Sequence, residues 1–311
     1  AVFGVVISVA VLISYLLGAF GVAFALTLIL AAQSAIYSPA KYGIIKALVG
    51  TERLGTANGV IQALTIVAIL VSSFLFSFIF ENLYIQGENS EEILKSVYPI
   101  GIFLVVFSAL EAFFAYKLPY ISETNEQSGE FELKKYISLS YLRENLKEVR
   151  SDKNIWLSIA GLSIFWGISQ IIIAAFPAHY KAVFNDDSSL AVQAILAVSA
   201  IGIAFGSYVA GSMSKLHIEL GIVPMGAIGI FFSLLFFAFG SSIGVVSLSS
   251  FAFGFFGGIF IVPLNAMIQY FAPQKSTGKI MAANNFLQNV SMLLFLAIGI
   301  GLVYFEISTT G

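Results

Sequence analysis

Tyr37-Ser38-Pro39-Ala40-Lys41-Tyr42-Gly43, followed by Ala57-Asn58-Gly59-Val60-Ile61-Gln62, has a counterpart late in the chain. There Ile261-Val262-Pro263-Leu264-Asn265-Ala266 precedes Ala283-Asn284-Asn285-Phe286-Leu287-Gln288. The prolines stand 224 residues apart (39 to 263) and the Ala-Asn-x-x-x-Gln elements 226 apart (57 to 283), so the intervening loops differ by two residues. Three identities in six positions gain weight if both copies occupy equivalent places in the topology. The surrounding spans and charges decide that.

Apolar residues make up 59% of the chain and charged residues 10%, where a soluble globule carries about 25% charged. The solvent for such a chain is lipid. A hydrocarbon core of roughly 30 Å requires about 20 apolar residues per helix. Windows of that length predict nine spans, at 1–20, 21–40, 57–80, 97–117, 154–177, 189–213, 220–239, 243–271 and 280–305. Ala1 to Phe20 has no charged leader and reads as a span, not as a secretory signal.

Positive residues are retained on the cytoplasmic side. Thirteen of the 15 basic residues fall in one alternating set of connections, leaving Lys95 and Lys181 among acidic residues on the other. The connections at 41–56, 118–153 and 272–279 are therefore expected to be cytoplasmic. Segment 118–153 is the long polar stretch, and it separates four spans from five. Phe131, Leu133, Tyr136, Ile137, Leu142, Leu146 and Val149 recur within it at spacings that suit an amphipathic helix on the membrane surface; a solvated tether is the alternative. Both copies of the repeat lie at cytoplasmic helix ends and run in the same sense. That is a parallel repeat about an axis normal to the membrane, the arrangement of two transporter halves. The expected domains are 1–117, a linker at 118–153, and 154–311. In a scheme of six spans per half these are spans 3–6 and 7–11, about nine of twelve, making an incomplete all-α polytopic membrane fold.

Several chemistries find no support. Net charge of −2 gives nucleic acid no basic surface, and the absence of Cys removes thiolate metal sites and cysteine nucleophiles. His179 and His217 lack a second ligand at helical spacing. Ser38-x-x-Lys41 has a nucleophile's spacing, but a lysine at a cytoplasmic helix end is expected from snorkelling. Gly50-x4-Gly55 is followed by Thr56 where a phosphate loop has lysine. No His-x4-Asp acyltransferase pattern follows either histidine. The chain reads as neither an enzyme nor a cofactor binder.

Ser38-Pro39-Ala40-Lys41-Tyr42-Gly43-Ile44, Ala57-Asn58-Gly59, Ser163-Ile164-Phe165-Trp166-Gly167 and Gly257-Gly258-Ile259-Phe260-Ile261-Val262-Pro263-Leu264-Asn265-Ala266 occur in that order. Together they resemble the lysophospholipid transporter branch of the major facilitator superfamily. The resemblance implies a bacterial inner-membrane protein that moves lysophospholipids to the cytoplasmic leaflet by alternating access. An acyltransferase, separate or fused, would be its partner there. A small-solute or drug exporter of the same fold is one alternative reading, and a membrane scaffold for a fused acyltransferase is another.

Polar groups inside spans are costly unless they pair or face a cavity, so they are the candidate substrate contacts. Glu111 lies well inside a span and could bind a headgroup amine, carry a proton or pair with Lys41. Lys41, beside Tyr42, could hold a lipid phosphate or simply anchor its helix. Asn58 and Gln62, Asn265 and Gln269, Asn284 and Gln288, and Asn285 and Asn289 each share a helical face. They could line a polar path or hydrogen-bond between helices. Trp166 and Gln170 share another face near Gly167, where a broken helix could flank a cavity. Gly202-x3-Gly206 and Gly254-x3-Gly258 suit close helix packing.

Overall fold

The computed structural model describes residues 1–84, 89–119, 134, 138–186 and 188–304. The described residues form twelve helices. These are α1 (Val2–Leu16), α2 (Phe20–Gly43), α3 (Ile45–Val49), α4 (Leu54–Leu83), α5 (Ser90–Ser96) and α6 (Tyr98–Lys117). After them come α7 (Ser140–Ser151), α8 (Lys153–Phe184), α9 (Ser189–Met213), α10 (Ile222–Ala238), α11 (Ile243–Phe271) and α12 (Thr277–Tyr304). Seven helical stretches among them are long and apolar enough to cross a bilayer. The protein is an all-α, multi-pass membrane protein.

Each predicted span coincides with a helix, and the differences lie at the ends. The span expected over 1–20 stops at Leu16 because Gly18 turns the chain with φ of 68°. At that point a side chain would meet Glu91. The span expected to end near Pro177 instead continues to Phe184. Buried Phe176 and Tyr180 pack with Val192, Ile195 and Val246, and that burial outweighs the hydrogen bond a mid-helix proline forfeits. Asn185, in the left-handed conformation, ends the helix. Side-chain caps start the next elements: Asp152 accepts from the Asn154 and Ile155 amides, Ser188 from Ala191 and Ser242 from Val245.

The helices form two compact units. One contains residues 1–40 and 71–130. In it α1 packs on α6, where the Ser8 and Ser108 hydroxyls meet at 2.7 Å and Gly101 admits Leu12. Ala23, Leu94 and Val97 form its small core with Tyr15, Leu83 and Ile100.

The other unit contains residues 41–70 and 131–311. Its centre is α11, with over half of its most apolar window buried, more than any other span. The two glycine pairs explain how α9 reaches it: side chains at Gly202 and Gly206 would collide with the Phe251 and Phe255 carbonyls, and one at Gly254 with that of Ser199. Backbone meets backbone, as small-residue interfaces allow in lipid. The face of α7 anticipated from Leu142, Leu146 and Val149 packs on α8 and α12, with Val149 fully buried beside Ile155 and Met281. Phe131, Leu133, Tyr136 and Ile137 lie outside the described residues.

Candidate functional site

The first turns of α4 enter the second unit through glycine. Gly55 and Gly59 press on Ser214, Gly211 and the Ser207 carbonyl; a side chain at Gly59 would stand 2.5 Å from Gly211 Cα. This approach places one polar face of α4, carrying Asn58, Gln62 and Thr65, inside the unit.

Asn58 and Gln269 meet there. Asn58 Nδ2 donates to Gln269 Oε1 at 2.9 Å, and Gln269 Nε2 donates back to Asn58 Oδ1 at 3.0 Å. Asn58 also donates to the Leu54 carbonyl at 2.9 Å. The side chains are 3% and 0% exposed, so each carboxamide finds its partner in the protein and not in solvent. The repeat element's second copy behaves differently. Gln288 Nε2 donates to Asn284 Oδ1 at 2.7 Å within α12 itself.

Two further ties hold the same end of the unit. Helix termini leave carbonyls without intrahelical partners, and basic or hydroxyl side chains can satisfy them. The Lys46 ammonium donates to the Tyr270 and Ala272 carbonyls, at 2.9 and 2.7 Å, where α11 ends. The Thr56 hydroxyl lies 2.9 Å from the Ser214 carbonyl and 3.1 Å from that of Gly211, where α9 ends. The spans of Lys46 to its acceptors, 224 and 226 residues, equal the offsets of the sequence repeat. Lys46 and Thr56 escape sequence reasoning because a loop lysine and a helix-start threonine read as anchor and cap.

Lys41 is exposed, with its ammonium 3.5 Å from Thr65 Oγ1 and 5.6 Å from the Tyr42 ring centroid. Thr65 stands eleven residues into α4, about 16 Å along its axis at 1.5 Å per residue. Lys41 therefore reaches along α4 toward its middle. Tyr42 is half-buried against both Ile280-side and Leu54-side packing clusters. Gln62, between Asn58 and Thr65 on the same face, is buried.

The remaining candidates are dispersed. Asn265 is half-buried one turn before Gln269, and Asn285 is half-buried on α12. Asn289 donates to the Asn285 carbonyl at 2.7 Å. Trp166 packs edge-on against Phe165 at 5.4 Å, and Gln170 is half-buried one turn later. The helix break anticipated near Gly167 is corrected by a continuous α8. Gly167 serves close packing instead, since a side chain there would meet the Phe295 ring at 2.8 Å and Ser291 Oγ at 3.0 Å. Glu111 belongs to the first unit and lies on the exposed face of α6.

The comparisons with known proteins agree with this architecture. Residues 1–296 match the family model of the Major Facilitator Superfamily. The chain is 31% identical over 268 residues to the lysophospholipid transporter LplT of Photorhabdus laumondii, covering 85% of this chain and 63% of that protein. It is 28% identical over 268 residues to the LplT of Yersinia enterocolitica, with 85% and 62% covered. The LplT of Yersinia pestis is 27% identical over 271 residues, with 85% and 61% covered. The chain thus spans about three fifths of the length of these relatives. With its helices of bilayer length and a family match from residue 1 to 296, the chain belongs to the major facilitator superfamily.

Proposed function

We propose that the protein moves lysophospholipids across a bacterial inner membrane to the cytoplasmic leaflet, where an acyltransferase restores the missing chain. The observation that carries this reading is the similarity to proteins named lysophospholipid transporter over 85% of the chain. An amphiphile also suits the composition, because a Phe-rich wall accommodates an acyl chain while the polar groups meet a headgroup. Transport is by alternating access between the halves 1–117 and 154–311, joined through 118–153. The ties from Lys46, Thr56 and Asn58 to the ends of α9 and α11 support a state sealed at the cytoplasmic side.

In this reading Lys41 takes the headgroup phosphate, with Gln62 and Thr65 donating beside it. Asn265, Gln170, Trp166, Asn285 and Gln288 extend the polar path within the same unit. Asn58 and Gln269, being paired, act by opening and closing. The test is uptake of labelled lysophosphatidylethanolamine by spheroplasts expressing the full-length protein. Uptake is expected, and Lys41→Ala is expected to lower it about tenfold, the scale of one lost charge-assisted hydrogen bond. Absence of uptake by the wild type overturns the reading; unchanged uptake in Lys41→Ala overturns the assignment of Lys41.

A further inference from the structure

The outer end of the second unit holds a cavity of about 500 Å³ that the reading above leaves unused. Its position follows from charge: Lys181, one of only two basic residues outside the cytoplasmic connections, lines it. The volume is within the range of small-ligand sites.

Two kinds of chemistry adjoin in it. Lys181 at the end of α8 and Asp186 in the following turn contribute opposite charges, and Ser189 and Gln193 on α9 add a hydroxyl and a carboxamide. Pro177, Val192 and Leu196 line the remainder with apolar surface. The carboxylate is held in place: Tyr180 donates its hydroxyl to Asp186 Oδ2 at 3.0 Å, and the Ser188 amide donates to Oδ1 at 3.0 Å. Tyr180 is itself 1% exposed and fixed by Phe176 and Phe184, so the acid is anchored to the core of the unit. The left-handed Asn185 makes the turn that carries Asp186 back toward α9.

A cation and a fixed carboxylate over an apolar floor match a molecule with a phosphate, an ammonium and one hydrocarbon chain. We propose that this cavity is an outer recognition site for a zwitterionic single-chain phospholipid, with Lys181 taking the phosphate, Asp186 the ammonium, and Val192 and Leu196 the start of the chain. The proposal rests on the transport reading and deepens it. It makes Asp186 the residue that distinguishes an amine headgroup from a neutral polyol one, at the leaflet where the substrate is collected. Ser189 and Gln193 donate to the remaining phosphate oxygens.

The experiment compares uptake of labelled lysophosphatidylethanolamine and lysophosphatidylglycerol by spheroplasts expressing the full-length protein, each lipid well below saturation. Asp186→Asn keeps an oxygen for Tyr180 and removes the charge. It is expected to lower lysophosphatidylethanolamine uptake about tenfold and to leave lysophosphatidylglycerol uptake unchanged. Lys181→Gln is expected to lower both. Asp186→Glu, which restores the charge, is expected to recover most of the preference. An unaltered ratio in Asp186→Asn, or equal loss of both uptakes with no recovery in Asp186→Glu, overturns the site. A wild type that carries neither lipid overturns the transport reading instead, so the two failures are distinct.

Discussion

Asn58 and Gln269 exchange both of their carboxamide hydrogen bonds across 211 residues of sequence, joining a helix of the first repeat copy to one of the second inside a single packed unit. A reciprocal amide pair has no net charge, so it holds without a titrating group and without sensitivity to salt. Removing either partner strands the other in a buried place.

Asn58→Leu or Gln269→Leu alone is therefore expected to destabilise the protein by about 1–3 kcal/mol, the cost of an orphaned buried carboxamide. The double variant Asn58→Leu/Gln269→Leu is expected to be more stable than the sum of the singles by about 1 kcal/mol, within the range of polar pairs between membrane helices. Unfolding of all four proteins in detergent, arranged as a double-mutant cycle, measures the coupling. A coupling of zero contradicts the pair.

A second expectation concerns proximity. The sequence contains no cysteine, so Asn58→Cys/Gln269→Cys introduces the pair into an otherwise thiol-free chain. A short bis-methanethiosulfonate cross-linker, which spans a pair too far apart for a direct disulfide, is expected to link α4 to α11, read as a mobility shift on electrophoresis after proteolytic cleavage in the connection at 118–153. Under the alternating-access proposal the link also stops uptake, and reduction restores it.

The glycines between α9 and α11 are not interchangeable with those elsewhere in the chain. Gly206→Val and Gly254→Val place side chains against carbonyls that cannot rotate away, and each is expected to cost about 3 kcal/mol or more. Gly244→Ala, with open space at the side-chain position in the first turn of α11, is expected to be neutral or slightly stabilising. Thermal unfolding in detergent separates the two classes.

Lys46→Met removes two donors from the carbonyls that end α11. The expected loss is about 1.5 kcal/mol, the low end for hydrogen bonds to a charged group because Lys46 is only half-buried. Lys46→Arg is expected to recover part of it. Hydrogen exchange in the last turn of α11 is the local readout, and it should quicken in Lys46→Met.

Glu219 provides a test of pH dependence outside the membrane spans. Its carboxylate meets His217 Nε2 at 3.1 Å and accepts the Gly221 amide at 3.1 Å. These contacts hold its pKa below the usual carboxylate value, the His217 hydrogen bond being the larger cause. A lowered folded-state pKa means the contribution is present above the ordinary carboxylate pKa and disappears as pH falls through the folded value. Glu219→Gln is thus expected to be slightly less stable than wild type near neutral pH, with the difference closing in acid. Stability measured from pH 7 down to pH 3 checks the sign.

Much of the architecture was legible because lipid imposes simple rules. Bilayer thickness sets how many apolar residues a helix needs, so each expected span has a helix. The glycine pairs 202/206 and 254/258 were legible because close approach in lipid leaves few other residues possible. The ends of helices were less so. Gly18 shortened one span, and burial of Phe176 and Tyr180 carried another past Pro177, which depends on neighbours that no local window contains.

The sequence by itself determined that this is a multi-pass helical membrane protein, and it identified Asn58, Gln62, Asn284 and Gln288 as related positions. Only the tertiary structure decided what each does. Asn58 reaches across to Gln269, whereas Asn284 binds Gln288 on its own helix. Lys46 and Thr56, ordinary in sequence, cap the ends of helices more than 150 residues away. The reason is geometric. A hydrogen bond needs its two atoms within about 3 Å, and which side chains come that close is settled by the packing of glycine faces, not by the residues' own identity.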